Sequence, residues 1–365
     1  MPRLDSYVTR YLREDYGTID QLRKGIQDHR PEEPITQELL DRLLRAWRAM
    51  KADAKDPPPA YRLGGEWQAI ISRTFAPLVD ALETGNRDAL NEHLQNFIRW
   101  SGTYFGEPTK FTARDYERKR CDHFRIFASR WIDLYGEESI EDARPALVGN
   151  PLGFVIDGSL YNADGFRQNF YARRMIDLLD DVEAPVVCEV GGGFGSFAYQ
   201  LLKREEKSFS YIDYDIPVMS LVAGYHLISA LPEKRIMLYG EVGSLAEPLR
   251  DCDAAVLPNF ALPQLGDLGA DLCFNTCSFS EMDEATVREY MGQFARIGRR
   301  FILHEDHSWI SGSRNAAYQP HGGFQHWDLS RVAPPPDRFK RMHRIPAPFN
   351  SDEMAEFFEW LYMRR

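Results

Sequence analysis

The sequence predicts an α/β protein in which a mostly parallel sheet follows an α-helical N-terminal domain. Short apolar runs alternate with helical patterns between residues 186 and 304, and a cluster of glycines follows the first of these runs. Before residue 147 the apolar residues recur at helical spacing. We therefore predict a helical domain over residues 1–146 and the sheet domain over residues 147–365, a division that a chain of 365 residues accommodates.

The composition restricts the partners of this chain. Hydrophobic residues make up 44%, enough for a sizeable core, and the net charge of -11 argues against a nucleic-acid binder or an anionic membrane surface. No apolar run reaches membrane-spanning length, and residues 1–6 lack a secretory signal pattern. We expect a cytoplasmic protein that acts on a small molecule, with free thiols at Cys121, Cys188, Cys252, Cys273 and Cys277.

The N-terminal region predicts several amphipathic helices. Thr36 is a candidate cap for a helix that reaches at least Trp47, and three prolines at 57–59 interrupt the pattern. An apolar stripe from Trp67 to Leu82 and a longer aromatic one over residues 112–134 indicate further helices. These aromatic side chains are expected to form core.

A glycine-rich turn between a strand and a helix is the central feature of the sheet domain. The apolar run Val186–Val190 predicts a buried strand, and an amphipathic run over 194–203 predicts a helix. Gly191, Gly193 and Gly195 lie between or at the edge of these elements. Glycines permit positive φ and close approach of a ligand, and helix-initial N–H groups favour a negative group. The turn therefore predicts a nucleotide-binding site.

Two interpretations of this turn compete. From Gly193 to Ala198 the residues fit the loose Gly-x-Gly-x-x-Gly/Ala fingerprint of dinucleotide sites. That reading, however, places an acid inside the strand and a bulky turn before the fingerprint. The longer pattern Glu-x-Gly-x-Gly-x-Gly, from Glu189 to Gly195, resembles motif I of the class I S-adenosylmethionine-dependent methyltransferases. This resemblance implies a Rossmann-like domain in which Glu189 bears on the amino acid end of the cofactor.

The next apolar run ends in two acids that compete for one role. Residues 208–217 predict strand two, and an acid at its end can accept hydrogen bonds from ribose hydroxyls. The Asp-Ile-Pro sequence at 215–217 resembles the Asp-Leu-Pro of small-molecule O-methyltransferases, which favours Asp215. Asp213 is the alternative.

Several further segments predict strands, and two of them compete for the third position in the sheet. Residues 235–239 and 254–258 are both strand candidates; we prefer the second as the third sheet strand, which leaves the first as an inserted hairpin. The loop after the preferred strand would bring Asn259 near the adenine. Residues 271–282 predict strand four and the loop at its carboxyl end, and residues 300–304 predict strand five. Residues 338–345 predict a further strand, and residues 351–363 predict a final helix capped by Ser351.

A second resemblance narrows the family. The stretch Asn-x-x-Ser-Phe-Ser-Glu-Met at 275–282, the glycine turn, the Asp-Ile-Pro and the Gly-Asn-Pro at 149–151 together resemble the bacterial sugar O-methyltransferase family. The resemblance covers about residues 147–310 and implies S-adenosylmethionine as cofactor, S-adenosylhomocysteine as product, and a sugar, sugar nucleotide or glycoside as acceptor. It adds Asn275 to the cofactor site. In methyltransferases with an N-terminal helical domain, the segment before the glycine turn lines the substrate or cofactor mouth, so Asn150, Tyr161 and Tyr171 are candidates there, with ordinary turn and packing roles as the alternative.

A sugar hydroxyl needs a base, because it is a poor nucleophile at neutral pH. His304 and His307 lie at or after the end of strand five and are the first candidates, since the unperturbed pKa of histidine is near neutrality. His307 is preferred because it lies in the loop. Asp306 and Glu281 are the next candidates.

Two further histidines and a divalent metal ion are also candidates for a role in catalysis. His321 and His326 could act only if their long loop folds over the site. The sequence His-Glu-Asp-His at 304–307 suggests a divalent ion, which some sugar methyltransferases use to orient a diol. Adjacent residues of a strand point in different directions, so these four cannot share one ion, and no metal site is predicted.

Two alternatives to sugar methylation remain open. One is O-methylation of a non-sugar natural product or a phenol, and the other is a cofactor-binding relative without turnover. The intact acids and glycines count against the second. A homo-oligomer is compatible with the sequence, which does not fix the oligomeric state.

Overall fold

An eight-stranded, mostly parallel sheet is the centre of the computed structural model, which describes residues 19–100, 113–307, 327–349 and 357–365. The strand order is β5-β6-β4-β3-β7-β8-β10-β9, and a separate antiparallel pair is β1-β2. Neighbours from β5 to β8 pair in parallel, while β10 pairs antiparallel with both β8 and β9. The predicted α/β class with a preceding helical region is confirmed.

The strands are β1 Phe154–Ile156, β2 Ser159–Tyr161, β3 Val186–Val190, β4 Ser210–Asp215, β5 Ile236–Leu238, β6 Ala254–Pro258, β7 Ala270–Thr276, β8 Gly298–His307, β9 Phe339–Pro346 and β10 Phe357–Arg364. The α-helices are α1 Ile19–Gly25, α2 Gln37–Asp53, α3 Gly65–Ile70, α4 Ala76–Thr84, α5 Arg87–Gln95, α6 Phe97–Trp100, α7 Ala113–Tyr135, α8 Ala163–Leu178, α9 Ser196–Leu202, α10 Pro217–Ala230 and α11 Glu284–Ile297.

The central strands are buried along almost their whole length. Every residue of β6 and of β7 is buried, as are four of the five residues of β3. Continuous apolar strands of this kind suit a parallel sheet that is covered on both faces. The carboxyl ends of β3, β4 and β7 consequently meet at one edge, where ligands bind in open parallel sheets.

The interpretation of residues 235–239 as an inserted hairpin is wrong. The strand β5 extends the sheet, because Ile236 pairs in parallel with Ala254 and Leu238 with Val256. Both Ile236 and Leu238 are buried, so pairing at the outer side of β6 removes two apolar side chains from water. The preferred candidate, residues 254–258, also joins the sheet, as β6 beside β4, so both candidates are sheet strands.

The predicted C-terminal helix is also wrong where the structure describes it. Residues 357–364 form β10 between β8 and β9, and residues 351–356, including the proposed cap Ser351, lie outside the described residues. Trp360, Leu361 and Tyr362 are buried in this position. The packing of these large side chains across two neighbouring strands outweighs a helical pattern, as tertiary context often does.

The residue types at two positions explain where N-terminal helices begin and end. The Thr36 hydroxyl accepts a hydrogen bond from the backbone N–H of Leu39, and Gly85 ends α4 with a φ of 68°. Between α3 and α4 the chain forms a π-helical turn over Ile71–Phe75. Residues of these helices belong to the same hydrophobic cluster as the sheet. The domain boundary at residue 146 stays a prediction.

A charged contact fastens α2 to the edge of the sheet. Arg42 donates from Nε and Nη2 to the two carboxylate oxygens of Glu241, each at 2.8 Å, and from Nη2 to the carbonyl of Ile236 at 2.8 Å. Both charged side chains are about three-quarters buried, with 24% and 23% exposed. The contact therefore stabilises the attachment of the helices to β5.

We expect Arg42→Ala to lower the free energy of unfolding by about 1.5–3 kcal/mol, the range for hydrogen bonds to charged groups. Chemical denaturation monitored by circular dichroism measures this change. Arg48→Ala, at an exposed position of the same helix, is the matched control for helix propensity. Equal stability of the two variants would contradict the role of Arg42.

No helix in the described ranges combines the length and the apolar character that crossing a membrane would need.

Candidate functional site

A cavity of about 310 Å³ opens at the carboxyl ends of β3, β4 and β7. Four parts of the chain line it. The first three are the glycine turn with the end of β4, the helix α8, and the N-terminal segment around α3. A fourth contribution comes from the loop after β7, which supplies Thr276, Cys277, Ser278, Glu281 and Met282.

The glycine turn owes its course to positive φ angles. The φ values are 78° at Gly191, 62° at Gly193 and 82° at Gly195, a region that side chains rarely adopt. A Cβ on Gly191 would lie 2.2 Å from the Ser278 hydroxyl, whereas one on Gly193 would meet nothing within 4 Å. Gly191 and Gly193 line the cavity. Gly195 does not line it, and a Cβ on Gly195 would meet the side chain of Leu227.

Glu189 is a cavity-lining carboxyl group with almost no exposure to solvent. It is 1% exposed and accepts a hydrogen bond from the Tyr211 hydroxyl. Burial raises the pKa of Glu189 to about 8, although the Tyr211 hydrogen bond opposes this shift. A cationic group next to Glu189 would favour its ionised form, so the residue is suited to bind one.

Of the two acids at the end of β4, Asp215 reaches the cavity and Asp213 does not. Asp215 Oδ2 accepts from the Gly193 N–H at 2.8 Å, and Oδ1 accepts from the Ile216 N–H at 2.6 Å. Burial raises the pKa of Asp215 to about 7 against the effect of these two hydrogen bonds. Asp213 has no exposed surface and bonds to the turn through the Gly192 N–H at 3.2 Å. Asp215 is therefore the acid of the two that is open to the cavity, and its contact with ribose stays a prediction.

A pair of opposite charges on α8 lines the cavity, and the sequence interpretation missed it. Arg167 donates to Asp164 at 2.9 Å, and the two side chains are 14% and 17% exposed. Asp164 also accepts from the Ser196 hydroxyl at 2.8 Å. Burial disfavours the Arg167 charge, but Cys277, Asp164 and Glu305 outweigh it and raise its pKa. Their spacing, i and i+3 on a helix that leads into the glycine turn, was a usable signal.

The N-terminal helices close the opposite side of the cavity. Trp67 of α3 donates from Nε1 to Glu281 Oε2 at 2.8 Å, across 214 residues of chain. Ile70, Arg73 and Thr74 line the same side, and the last two lie in the π-helical turn. Such turns occur frequently at functional sites. Of the predicted catalytic residues, Glu281 is the one whose described side chain lines this cavity.

Three residues expected at the cofactor do not line the cavity. Asn275 is fully buried and donates to the Val190 carbonyl at 2.8 Å and to Ser278 Oγ at 2.5 Å. Asn259 bonds to the Tyr61 carbonyl and the Tyr290 hydroxyl. Tyr171 is 1% exposed and packs against Phe274. Their hydrogen bonds and packing hold the loops behind the site.

The other two candidates for the mouth of the site, Asn150 and Tyr161, also lie elsewhere. Asn150 accepts a hydrogen bond from the backbone N–H of His29 and donates to Asp28 and Asn96. The Tyr161 hydroxyl accepts a hydrogen bond from Arg144. Both therefore connect the N-terminal segment and neighbouring turns instead of lining the cavity.

His304 and Asp306, two of the predicted catalytic residues, are buried away from the cavity. His304 is 1% exposed and stacks on Trp360 of β10 at 4.6 Å, and burial lowers its pKa to about 3. Asp306 is fully buried, accepts from the Ser280 N–H, and has a pKa that burial raises to about 7. Neither lines the cavity. The reason is that β10 pairs alongside β8 and encloses both side chains.

The preferred base, His307, is the last residue of β8, and its side chain lies outside the described residues, as do His321 and His326. Its role stays a prediction. Over residues 19–100, 113–307, 327–349 and 357–365, no three His, Cys, Asp or Glu side chains are grouped to hold a metal ion.

No family model and no curated protein matches this chain. Solved structures similar to it include the pyocyanin biosynthetic protein PhzM, at 15% identity and a TM-score of 0.37 over 100% of this chain and 94% of that one. The mitomycin 7-O-methyltransferase MmcR has 14% identity and a TM-score of 0.37, over 89% and 75%. Magnesium protoporphyrin IX methyltransferase (ChlM) from Synechocystis PCC 6803, with bound SAH, has 12% identity and a TM-score of 0.36, over 56% and 86%. At these values the similarity assigns no activity to this chain.

Proposed function

We propose that this protein is an S-adenosylmethionine-dependent O-methyltransferase that acts on a hydroxyl group of a sugar or sugar-containing metabolite. The observation that carries the proposal is the joining of Gly193 to Asp215 by a 2.8 Å hydrogen bond in a cavity that Glu189 and Glu281 also line. In this proposal the nucleoside of the cofactor binds beside Asp215, and the proton transfer takes place at Glu281.

The lining residues suit each part of the cofactor. Asp215 lies where a carboxylate can accept hydrogen bonds from two ribose hydroxyls, and the open side of Gly193 allows close approach of the backbone. Arg167 and Asp164 offer a cation and an anion for the carboxylate and ammonium of the amino acid end. Glu189 adds a second acceptor for the ammonium. When bound, S-adenosylmethionine supplies an electrophilic methyl group.

We assign the role of general base to Glu281. The Trp67 N–H fixes its carboxylate on the cavity side of the loop after β7, next to Cys277 and Ser278. As the acceptor oxygen bonds to the methyl carbon and the carbon–sulfur bond breaks, the hydroxyl proton passes to Glu281. A base positioned in this way typically contributes about 10²–10⁴-fold to the rate. The alignment of oxygen, carbon and sulfur supplies a further part of the rate enhancement.

The experiment that tests the proposal is transfer of an isotope-labelled methyl group. The purified protein is incubated with labelled S-adenosylmethionine and a panel of free sugars, glycosides, nucleotide sugars and phenols, and products are identified by mass spectrometry. We expect a product labelled at a sugar hydroxyl. Labelling of phenols alone would assign the enzyme to the alternative acceptor class, and cofactor binding without any labelled product would favour a non-catalytic relative.

A further inference from the structure

We propose that the acceptor carries an anionic group, a phosphate or a carboxylate, that binds Arg73, and that its sugar ring lies against Trp67. The inference rests on the proposed function and narrows its substrate class from sugars in general to anionic sugars.

Arg73 is a cation at the cavity without a protein partner in the described ranges. It is exposed and lines the cavity from the π-helical turn, and no hydrogen bond or ion pair joins it to another residue there. Arginine presents a planar fork of donors that matches phosphate and carboxylate oxygens. A ligand in the cavity is therefore the available source of a negative partner.

The other charged groups of the described lining already have partners. Arg167 pairs with Asp164, Asp215 accepts two backbone N–H groups, Glu189 accepts from Tyr211, and Glu281 accepts from Trp67. These groups are also the ones assigned to the cofactor and to proton transfer. Arg73 is thus the charged lining residue that neither the cofactor nor the catalytic step uses.

The net negative charge of the protein strengthens the argument that Arg73 binds an anionic acceptor. With a net charge of -11, the protein repels anions at long range, so an anionic acceptor needs a specific positive contact to bind. Because Arg73 is exposed, this contact is weakened by salt. A neutral sugar could accept hydrogen bonds from Arg73 but could not form an ion pair with it.

Trp67 provides a fixed surface beside Arg73. Its Nε1 bonds to Glu281, and the Phe75 ring supports the indole at a centroid distance of 6.3 Å and an angle of 48°. The apolar face of a sugar can pack on an indole held in this way, since aromatic rings combine apolar area with few rotatable bonds. A sugar on Trp67 would place its hydroxyls within reach of Glu281, while its anionic substituent extends toward Arg73 at the cavity mouth.

The test is calorimetric titration of the S-adenosylhomocysteine-loaded protein with glucose, glucose 1-phosphate, glucuronic acid and UDP-glucose. We expect at least one anionic probe to bind about tenfold more tightly than glucose, and the advantage to shrink as salt is added. The phosphate and carboxylate probes distinguish the two sources of the charge. Arg73→Gln should remove the advantage, Arg73→Lys should keep part of it, and Arg48→Gln, an exposed position on α2, should keep all of it.

Two results would overturn the inference while S-adenosylhomocysteine still binds: no anionic probe binds better than glucose, or Arg73→Gln retains the full preference. In either case the proposed function stands with a neutral acceptor. If the wild-type protein fails to bind S-adenosylhomocysteine at all, the proposed function fails, and the acceptor inference fails with it.

Discussion

Glu281→Gln is expected to lower kcat by about 10²–10⁴-fold, the usual contribution of a positioned general base, while the affinity for S-adenosylmethionine stays at the wild-type value. Glutamine keeps the size of the side chain and can still accept the Trp67 N–H, but it cannot take up a proton. The measurement is steady-state kinetics on an acceptor identified by labelled methyl transfer, together with calorimetric titration of the cofactor.

Two further variants make this result specific. Glu284→Gln removes a carboxylate that is paired with Arg288 on the surface of the next helix, and it should leave kcat unchanged. His307→Gln tests the base that the sequence favoured. If His307→Gln abolishes turnover and Glu281→Gln does not, proton transfer belongs to the histidine and the assignment of Glu281 is wrong.

Asp215→Ala should weaken binding of S-adenosylmethionine and S-adenosylhomocysteine alike by about 10–100-fold. The estimate corresponds to the loss of one hydrogen bond to a charged group, worth about 1.5–3 kcal/mol. The variant also releases the Gly193 N–H from its 2.8 Å contact, so the glycine turn loses one of its constraints. Calorimetric titration with both ligands measures the effect.

Asp213→Asn is the comparison for this prediction. Asp213 also accepts from the glycine turn, but it lies behind the cavity, and asparagine can keep its contact with the Gly192 N–H. We expect a smaller loss of cofactor affinity than in Asp215→Ala. Unchanged affinity in Asp215→Ala, with a large loss in Asp213→Asn, would transfer the ribose contact to Asp213.

Local motifs drew attention to several residues that line the cavity around the glycine turn. Glu189, the positive-φ glycines and Asp215 lie within short strand–turn–helix units, where residue type and spacing largely determine the backbone. Arg167 and Asp164 could have been recognised in the same way from their i and i+3 positions on α8. The side chains of Asn259 and Asn275 were misjudged, because their hydrogen-bond partners come from other segments.

The surroundings of the proposed catalytic residues depend on long-range contacts. His304 and Asp306 were expected to face the methyl group because they lie at the carboxyl end of strand five. In the structure β10 pairs there and encloses them, with Trp360 opposite His304. The contact from Trp67 to Glu281 spans 214 residues, and no local periodicity reports it.

The most direct test of the central claim is calorimetric titration of wild-type protein and Gly193→Arg with S-adenosylhomocysteine, with NAD as the control ligand. Gly193 has a φ of 62° and open space around its added Cβ, so an arginine there strains the turn and fills the cavity. We predict saturable binding of S-adenosylhomocysteine to the wild type, none to the variant and none of NAD. Wild-type protein that is folded and binds NAD, or binds neither ligand, would contradict the assignment of this cavity to S-adenosylmethionine.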